Sequence, residues 1–542
     1  MTRRVFVLGL DGATFDLIKP WAQAGHLPML ARLLAEGAHG PLESTLPPVT
    51  SPAWPSFMTG VNPGKHGVFD FIQARQGSFN LVNYTSICSP TLWELLSTAG
   101  KRIGVLNVPV TYPPPRVNGF LVAGLLAPPR SEIAYPPGFL ARYERELGLY
   151  RIMPNVQYKP GNEDAFIADL HNLMERQTRY ALRLMQSEPW DFFMVHFLAL
   201  DVAQHALWAA MDETHPRHDP ASPYKTAIRD LYRRADEALA QFLNHLDGET
   251  IVLIMSDHGF GPLHRVVNLN NLLLRAGLLR LKPNAWVRLK AGLFRRGLTP
   301  VAAYDLLKRL GLQNLVWRVS KQTRNKWVDR FLSFEDVDWS HTLAYAMGHV
   351  GQIYINRKGR EPQGIVEPHQ VEGVRQRVIA ALQTLRDPQT GRPLLERVIP
   401  GEEAAQGPYA HLGPDLHVVL DGYRCIAFPL FAMDGKIITQ QIRGDSGCHR
   451  REGIFLAWGP GVRPGVALQG ARIVDLAPTI LWLMGLSVPD HMDGRPLVEA
   501  FAEARAVNWS LSSDPRLGEL SRLTAEEEAE VEARLRSLGY LG

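Results

Sequence analysis

Five short apolar runs recur along the chain: Val5 to Leu10, Ile103 to Val108, Phe192 to Phe197, Ile251 to Met255 and Ile454 to Trp458. None alternates strictly between apolar and polar positions, and each is followed by a loop and a helical pattern. Strands buried on both faces have this character, and strands alternating with helices predict a mainly parallel α/β sandwich. Two long stretches break the rhythm. Pro128 to Glu188, rich in Arg, Glu, Tyr and Leu, reads as helical, and Leu263 to Trp339 holds several helical segments bearing Leu and Trp. Both read as insertions from the sheet edge that could cap a site. Thr524 before a run of acids, with Arg towards the end, predicts a terminal helix within Leu523 to Leu541, docking by Leu535, Leu538 and Tyr540. The pattern divides the chain into core segments 1–127, 189–262 and 341–505, insertions 128–188 and 263–340, and a helical tail 506–542.

Composition constrains the setting more than the fold. A chain of 542 residues, 46% hydrophobic and 21% charged, suits a large folded catalytic domain with insertions, or two to three domains. Cys88, Cys425 and Cys448 form an odd, sparse set without CxxC spacing, which argues against a disulfide framework and a thiolate zinc site and fits a reducing compartment. Two arginines before Val5 to Leu10 mimic a signal peptide, but the run ends at Asp11-Gly12 with no small-residue cleavage site. No stretch approaches the roughly 20 apolar residues that span a bilayer. The expectation is a soluble, cytoplasmic protein.

The net charge of +4 conceals an uneven distribution: between Arg275 and Arg330 fourteen Lys or Arg stand against Asp305 and Asp329, a local net of +12. This stretch reads as a solvated helical cap. It also reads as a surface attracting a phosphorylated or lipid-bearing substrate, or making peripheral contact with an anionic membrane through segments bearing Trp286, Phe294 and Trp317. No nucleic-acid-binding module accompanies it, so no nucleic acid is expected.

In open α/β sheets functional groups collect just beyond the carboxyl ends of strands. Here the first strand ends in Asp11-Gly12, the run Phe192 to Phe197 is followed by Asp201 and His205, and Ile251 to Met255 leads into Asp257-His258-Gly259. Asp201 and His205, four residues apart, share one face of a helix, as two ligands of one metal must. Asp257 and His258 are adjacent and need the turn that Gly259 allows. His449 lies in a Gly-containing polar loop before Ile454 to Trp458. Carboxylate and imidazole ligands together suit zinc or manganese better than calcium or copper. Pro52 and Pro55 fit the first turn of a helix that Gly60 ends, leaving Thr50 and Ser51 at its N-terminus, where helix N–H groups favour a phosphate and a metal would activate a hydroxyl. Singly, each feature has an ordinary explanation: a turn, a solvated helix face, Ser51 as an N-cap. Their coincidence at successive strand ends does not. Lys65-His66-Gly67 reads as a turn after the helix, His264 receives no role, and Asn107 and His349 are candidates for substrate contact only.

Asp-Gly after strand one, Thr50 ten positions before Gly60 of a Thr-Gly pair, Asp-x-x-x-His, Asp-His-Gly and a late His together resemble the alkaline phosphatase superfamily, most closely its type I phosphodiesterase and nucleotide pyrophosphatase branch. The tract Arg472 to Ile480, with Met492 to Leu497, and the ending Leu535 to Leu541 are similar to segments of the same superfamily. The resemblance implies an alkaline-phosphatase-like three-layer sandwich with a mainly parallel central sheet and helical cap insertions. It implies two divalent metals, zinc first and manganese second: one on Asp201, His205 and His449, the other on Asp11, Thr50, Asp257 and His258. It implies Thr50 as nucleophile, attacking phosphorus in line to give a phosphothreonine that water then hydrolyses. Two departures narrow this. Phe71 stands where nucleotide pyrophosphatases carry a phosphate-contacting Asn, which speaks against nucleotide diester cleavage, and Thr50, Pro52 and Trp54 do not make the formylglycine signature of sulfatases. The expected activity is hydrolysis of phosphate esters, diester or monoester. The alternatives are a phosphomutase of the same superfamily and a catalytically silent binding relative.

Overall fold

All five apolar runs are strands in the computed structural model, which describes residues 3–75, 78–129, 131–285, 287, 289, 292, 334–429, 436–440, 444–502, 505–511 and 524–537. Long-range contacts divide the chain into two units, the first comprising 1–264, 404–412 and 443–541 and the second 265–403 and 413–442. The first is built on a nine-stranded sheet: β1 (Val5–Leu10), β2 (Ala38–Glu43), β3 (Ile103–Val108), β4 (Gly119–Ala123), β5 (Ala134–Tyr135), β6 (Phe192–Phe197), β7 (Ile251–Met255), β8 (Glu452–Trp458) and β9 (Ala471–Arg472). The spatial order is β9-β2-β8-β7-β1-β6-β3-β4-β5. Its centre, β7-β1-β6-β3-β4, is parallel, and β8 runs antiparallel to both β7 and β2. Every residue of β1, β3, β6 and β7 is buried, which is why these runs lack alternation.

Register decides where the chemistry gathers. Val5 lies opposite both Phe192 and Ile251, and Leu10 opposite Phe197, so β1, β6 and β7 end at one edge and send Asp11, the segment after Phe197 and the segment after Met255 into the same space. The helices α1 (Thr50–Thr59), α2 (Glu163–Ser187), α3 (Ala199–Met211) and α4 (Ala227–Leu243) flank the sheet. One group combines α2, α3, α4 and the helix Pro28–Glu36; the other combines α1 with Leu92–Thr98 and Leu476–Leu483. Asp236 of α4 accepts from the Met29 and Leu30 N–H groups, capping the helix Pro28–Glu36, which has no cap of its own.

Residues 128–188 act differently from the expected cap. They supply β5 and the 25-residue helix α2, whose apolar stripe of Phe166, Leu170, Leu173, Met174 and Leu184 is buried. That stripe packs on β3, β6, α3 and α4, making this segment a layer of the sandwich. The second unit has its own sheet, Ala344–Ala346, Gln352–Ile355, Leu416–Leu420, Cys425–Phe428, Arg265–Asn268 and Ile438–Thr439 in that order, with Leu395–Pro400 also on Leu416–Leu420. It therefore takes in 341–403 and 413–442, which the sequence pattern assigned to the core, because short antiparallel strands joined by loops give no long apolar run. Most of the basic stretch, including Trp286, Phe294 and Trp317, lies outside the described residues, as do Leu538 and Tyr540. The terminal helix Ala525–Ser537 is present, with Val531 and Leu535 buried. No helix among the described residues is long and apolar enough to cross a membrane.

Candidate active site

Asp11 follows β1 directly and is fully buried. On α3, one turn of helix brings Asp201 Oδ1 to 3.5 Å from His205 Nε2. His449 reaches them because Gly259–Pro262 and Gly447–Arg450 form an antiparallel ribbon with Phe260 opposite His449. Its Nε2 lies 3.2 Å from Asp201 Oδ1 and 2.9 Å from His205 Nε2, and its Nδ1 is 2.8 Å from the Pro48 carbonyl, which fixes the ring. Asp201, His205 and His449 thus form one ligand group. The second is Asp11, Asp257 and His258: His258 Nε2 is 3.5 Å from Asp11 Oδ1 and 3.3 Å from Asp257 Oδ2. Thr50 Oγ1 lies 3.3 Å from the same His258 nitrogen, and the rings of His258 and His449 stack at 3.7 Å, so the two groups adjoin.

Thr50 opens α1, and the αL residue Gly60 closes it as expected. Ala53 N–H bonds to the Val49 carbonyl and Pro52 has no N–H, so Thr50 and Ser51 supply the N–H groups that the helix start can aim at an anion. Pro55 lies a turn deeper than expected, inside the helix, which forgoes its bond to the Ser51 carbonyl. The Thr45 hydroxyl is spent on the Pro47 carbonyl, leaving Thr50 as the hydroxyl against the ligand groups. The far end of α1 is clamped: Asp493 and Gly494 N–H groups bond the Gly60 carbonyl, and Asp493 also takes Asn62 and Lys65. Pro63–His66 is a single helical turn ended by Gly67, and His66 holds Ser56 of α1 at 2.9 Å.

The three buried carboxylates of Asp11, Asp201 and Asp257 converge here with the imidazoles of His205, His258 and His449. Burial, then the charges of Asp257 and Asp201, raise the pKa of Asp11 well above the ordinary carboxylate range. Burial and the Asp201 charge likewise push Asp257 upward. Burial also works against Asp201, but His205 and His449 hold its pKa low. His258 is lowered by burial and by His449. Asp11 Oδ1 and Asp257 Oδ2 are buried and accept no hydrogen bond. Mixed oxygen and nitrogen donors, buried and gathered in two groups, fit divalent metal ions.

All seven sequence-derived positions meet in this region. Asn107 does not offer its side chain outwards: it is buried, its amide lies 3.3 Å from the carbonyls of Ile152 and His196. His349 belongs to the second unit and is buried there. His264 packs against His215 at 5.3 Å. Two buried residues went unremarked in the sequence. His196 Nε2 lies 2.9 Å from Asp11 Oδ2, and Gln204 donates to the Gly12 carbonyl while accepting from Tyr232. The available signal for His196 was a lone polar residue within a wholly apolar strand.

The family model for type I phosphodiesterase / nucleotide pyrophosphatase matches residues 5–422. The chain is 26% identical over 107 residues to a GPI ethanolamine phosphate transferase 2 of Eremothecium gossypii, which is 20% of this chain and 12% of that relative. It is 49% identical over 47 residues to a 2,3-bisphosphoglycerate-independent phosphoglycerate mutase of Cereibacter sphaeroides, 9% of each. The matches thus span only a small part of these curated relatives. The fold is similar to that of human ectonucleotide pyrophosphatase / phosphodiesterase 5, with a TM-score of 0.51, 14% identity and coverage of 92% of this chain and 99% of that one. It is similar also to the murine form, inactive through a threonine-to-alanine change and in complex with AMP, with a TM-score of 0.50, 13% identity and coverage of 90% and 96%. With the family model matched over most of its length, the chain belongs to the type I phosphodiesterase/nucleotide pyrophosphatase family of the alkaline phosphatase superfamily.

Proposed function

We propose that this protein is a two-metal phosphohydrolase that cleaves phosphate esters through a phosphothreonine on Thr50. The observation carrying this reading is the contact of Thr50 Oγ1 with His258 Nε2 at 3.3 Å, at a helix start and between two adjoining sets of Asp and His. Asp201, His205 and His449 would hold one divalent ion, and Asp11, Thr50, Asp257 and His258 the other, zinc or manganese by their donor types. Such ions, when bound, supply charge neutralisation for the phosphoryl group and lower the pKa of a coordinated hydroxyl. Thr50 Oγ1 gives up its proton to solvent and attacks phosphorus in line, the P–O bond to the ester breaks, and the departing alkoxide takes a proton from water. Water then cleaves the phosphothreonine, returning the hydroxyl and releasing phosphate or a phosphomonoester. Meanwhile the N–H groups of Thr50 and Ser51 hold the equatorial oxygens. The murine neighbour, inactive without its threonine and binding AMP, supports a threonine nucleophile and a phosphorylated small-molecule substrate.

The test is steady-state turnover of para-nitrophenyl phosphate and its bis ester by the metal-stripped chain, with and without added zinc or manganese. Metal-dependent release of nitrophenol is expected. Failure to bind metal would overturn the reading. A second reading, a phosphomutase, is favoured by the 49% identical stretch shared with a phosphoglycerate mutase. It would show as transfer of phosphate within a substrate without release of inorganic phosphate.

A further inference from the structure

We propose that His196 is the positioning residue of the Asp11 carboxylate, fixing which of its oxygens faces the Asp257 and His258 group. The inference rests on the two-metal reading and deepens it.

His196 lies in the fully buried strand β6 and is itself 0% exposed. Both ring nitrogens meet oxygens: Nδ1 the backbone carbonyl of Asn107 at 2.9 Å, Nε2 the Asp11 Oδ2 at 2.9 Å. A carbonyl can only accept, so Nδ1 carries a proton and donates to Asn107, which leaves Nε2 facing Oδ2. The ring cannot turn without breaking both contacts. The Trp54 ring meets it edge-on at 4.8 Å, and on β1 even a Cβ added to Gly9 would come within 3.3 Å of the imidazole.

The carbonyl that holds the imidazole is itself fixed. Asn107 adopts φ 68, a left-handed conformation uncommon outside glycine, and its side-chain amide lies 3.3 Å from the carbonyls of His196 and Ile152. Gln177 of α2 in turn donates to the Arg151 and Ile152 carbonyls. The chain of contacts runs from α2 through the end of β3 and the His196 ring to Asp11. Its effect is to commit Oδ2 to His196 and leave Oδ1, which accepts no hydrogen bond, 3.5 Å from His258 Nε2. A carboxylate free to rotate would offer either oxygen and bind an ion more weakly.

The experiment compares wild type with His196→Gln and His196→Asn in the full chain. The Gln amide can reach the position of Nε2 and keep a polar contact with Asp11, whereas the Asn amide reaches only that of Nδ1. Both fill the buried space with a polar side chain. Zinc affinities are measured by competition with a chromophoric chelator, folding by thermal melts, and kcat and KM on bis(para-nitrophenyl) phosphate. His196→Asn is expected to weaken one of the two metal sites about 10–100-fold and to lower kcat with little change in KM, and His196→Gln to recover most of both. Equal affinities in all three proteins, or equal losses in the two variants, overturn the inference while wild type still binds two ions. Should Asn prevent folding, a folded Gln variant with a site weakened 10-fold or more overturns it. Wild type that binds no metal overturns the two-metal reading, and the inference with it.

Discussion

Under the proposed mechanism Thr50 carries two conditions at once: its hydroxyl must touch the candidate ligand group, and its position at the start of α1 must keep N–H groups directed at the phosphate. Thr50→Ala removes the first and leaves the second. It is expected to bind metal and substrate while losing turnover at least about 10³-fold, as loss of a nucleophile does, measured as nitrophenol release beside metal content. Thr50→Ser keeps a hydroxyl and should retain measurable turnover; a serine form as inactive as the alanine form would argue that the methyl group, and not the hydroxyl, is what the site requires. Thr50 was legible in the sequence because it opens a helix marked by proline and glycine, and Asp11, Asp201, Asp257 and His258 because they stand within a few residues of the end of a buried strand. His196 was not legible. Nothing in Phe192–Phe197 marks one polar residue as bonded to a carboxylate 185 positions away, since that partnership arises only when β1 and β6 pair in parallel.

The elements that carry the site are held at their ends. Gly60 takes φ 69, and an added Cβ would lie 2.9 Å from Met492 Sδ, so Gly60→Ala should cost about 1–3 kcal/mol, read from the denaturant midpoint. Asp475, 1% exposed, accepts from the Arg472 and Arg495 N–H groups and from the Arg472 guanidinium. Asp475→Ala strands these donors and is expected to cost about 1–3 kcal/mol by the same measurement; an unchanged midpoint would mean that water replaces the carboxylate freely. Strands β1, β3, β6 and β7 were readable to the residue from apolar runs. β2 and β4 were not: AHGPLE alternates buried and half-buried positions, and GFLVA is too short to distinguish from a helix segment. Helix α2 was legible as a helix but not as part of a layer, because amphipathicity reports that a face is covered and not by what.

For the whole molecule, the burial of Asp11 and Asp257 makes stability depend on pH, and on metal as well under the proposed two-metal reading. Without metal, burial and the Asp201 charge raise Asp257 to about 7, and Asp11 is raised as well. A carboxyl whose folded pKa exceeds its unfolded value of about 3.9 stabilises the fold fully below that value and loses the contribution as pH rises through the folded pKa. Burial lowers the pKa of His66, His196 and His258, which works in the opposite sense over the same range, so the carboxylate contribution is read as a difference: metal-stripped wild type should lose more stability between about pH 5 and about pH 8 than metal-stripped Asp257→Asn. Thermal melts of both proteins in chelator at both values check this, and parallel profiles would count against the raised pKa of Asp257. The sequence by itself determined the strands buried on both faces, the helix that presents Thr50 and the identity of the Asp and His side chains, because burial, capping and motif spacing act over a few neighbouring residues. Only the tertiary structure decided that β8 runs antiparallel, that Gly259–Pro262 pairs with Gly447–Arg450 to deliver His449, that residues 265–403 and 413–442 make a separate sheet, and that His196 grips Asp11. Those depend on pairing between segments up to hundreds of residues apart, where register and partner choice leave no local trace in the chain.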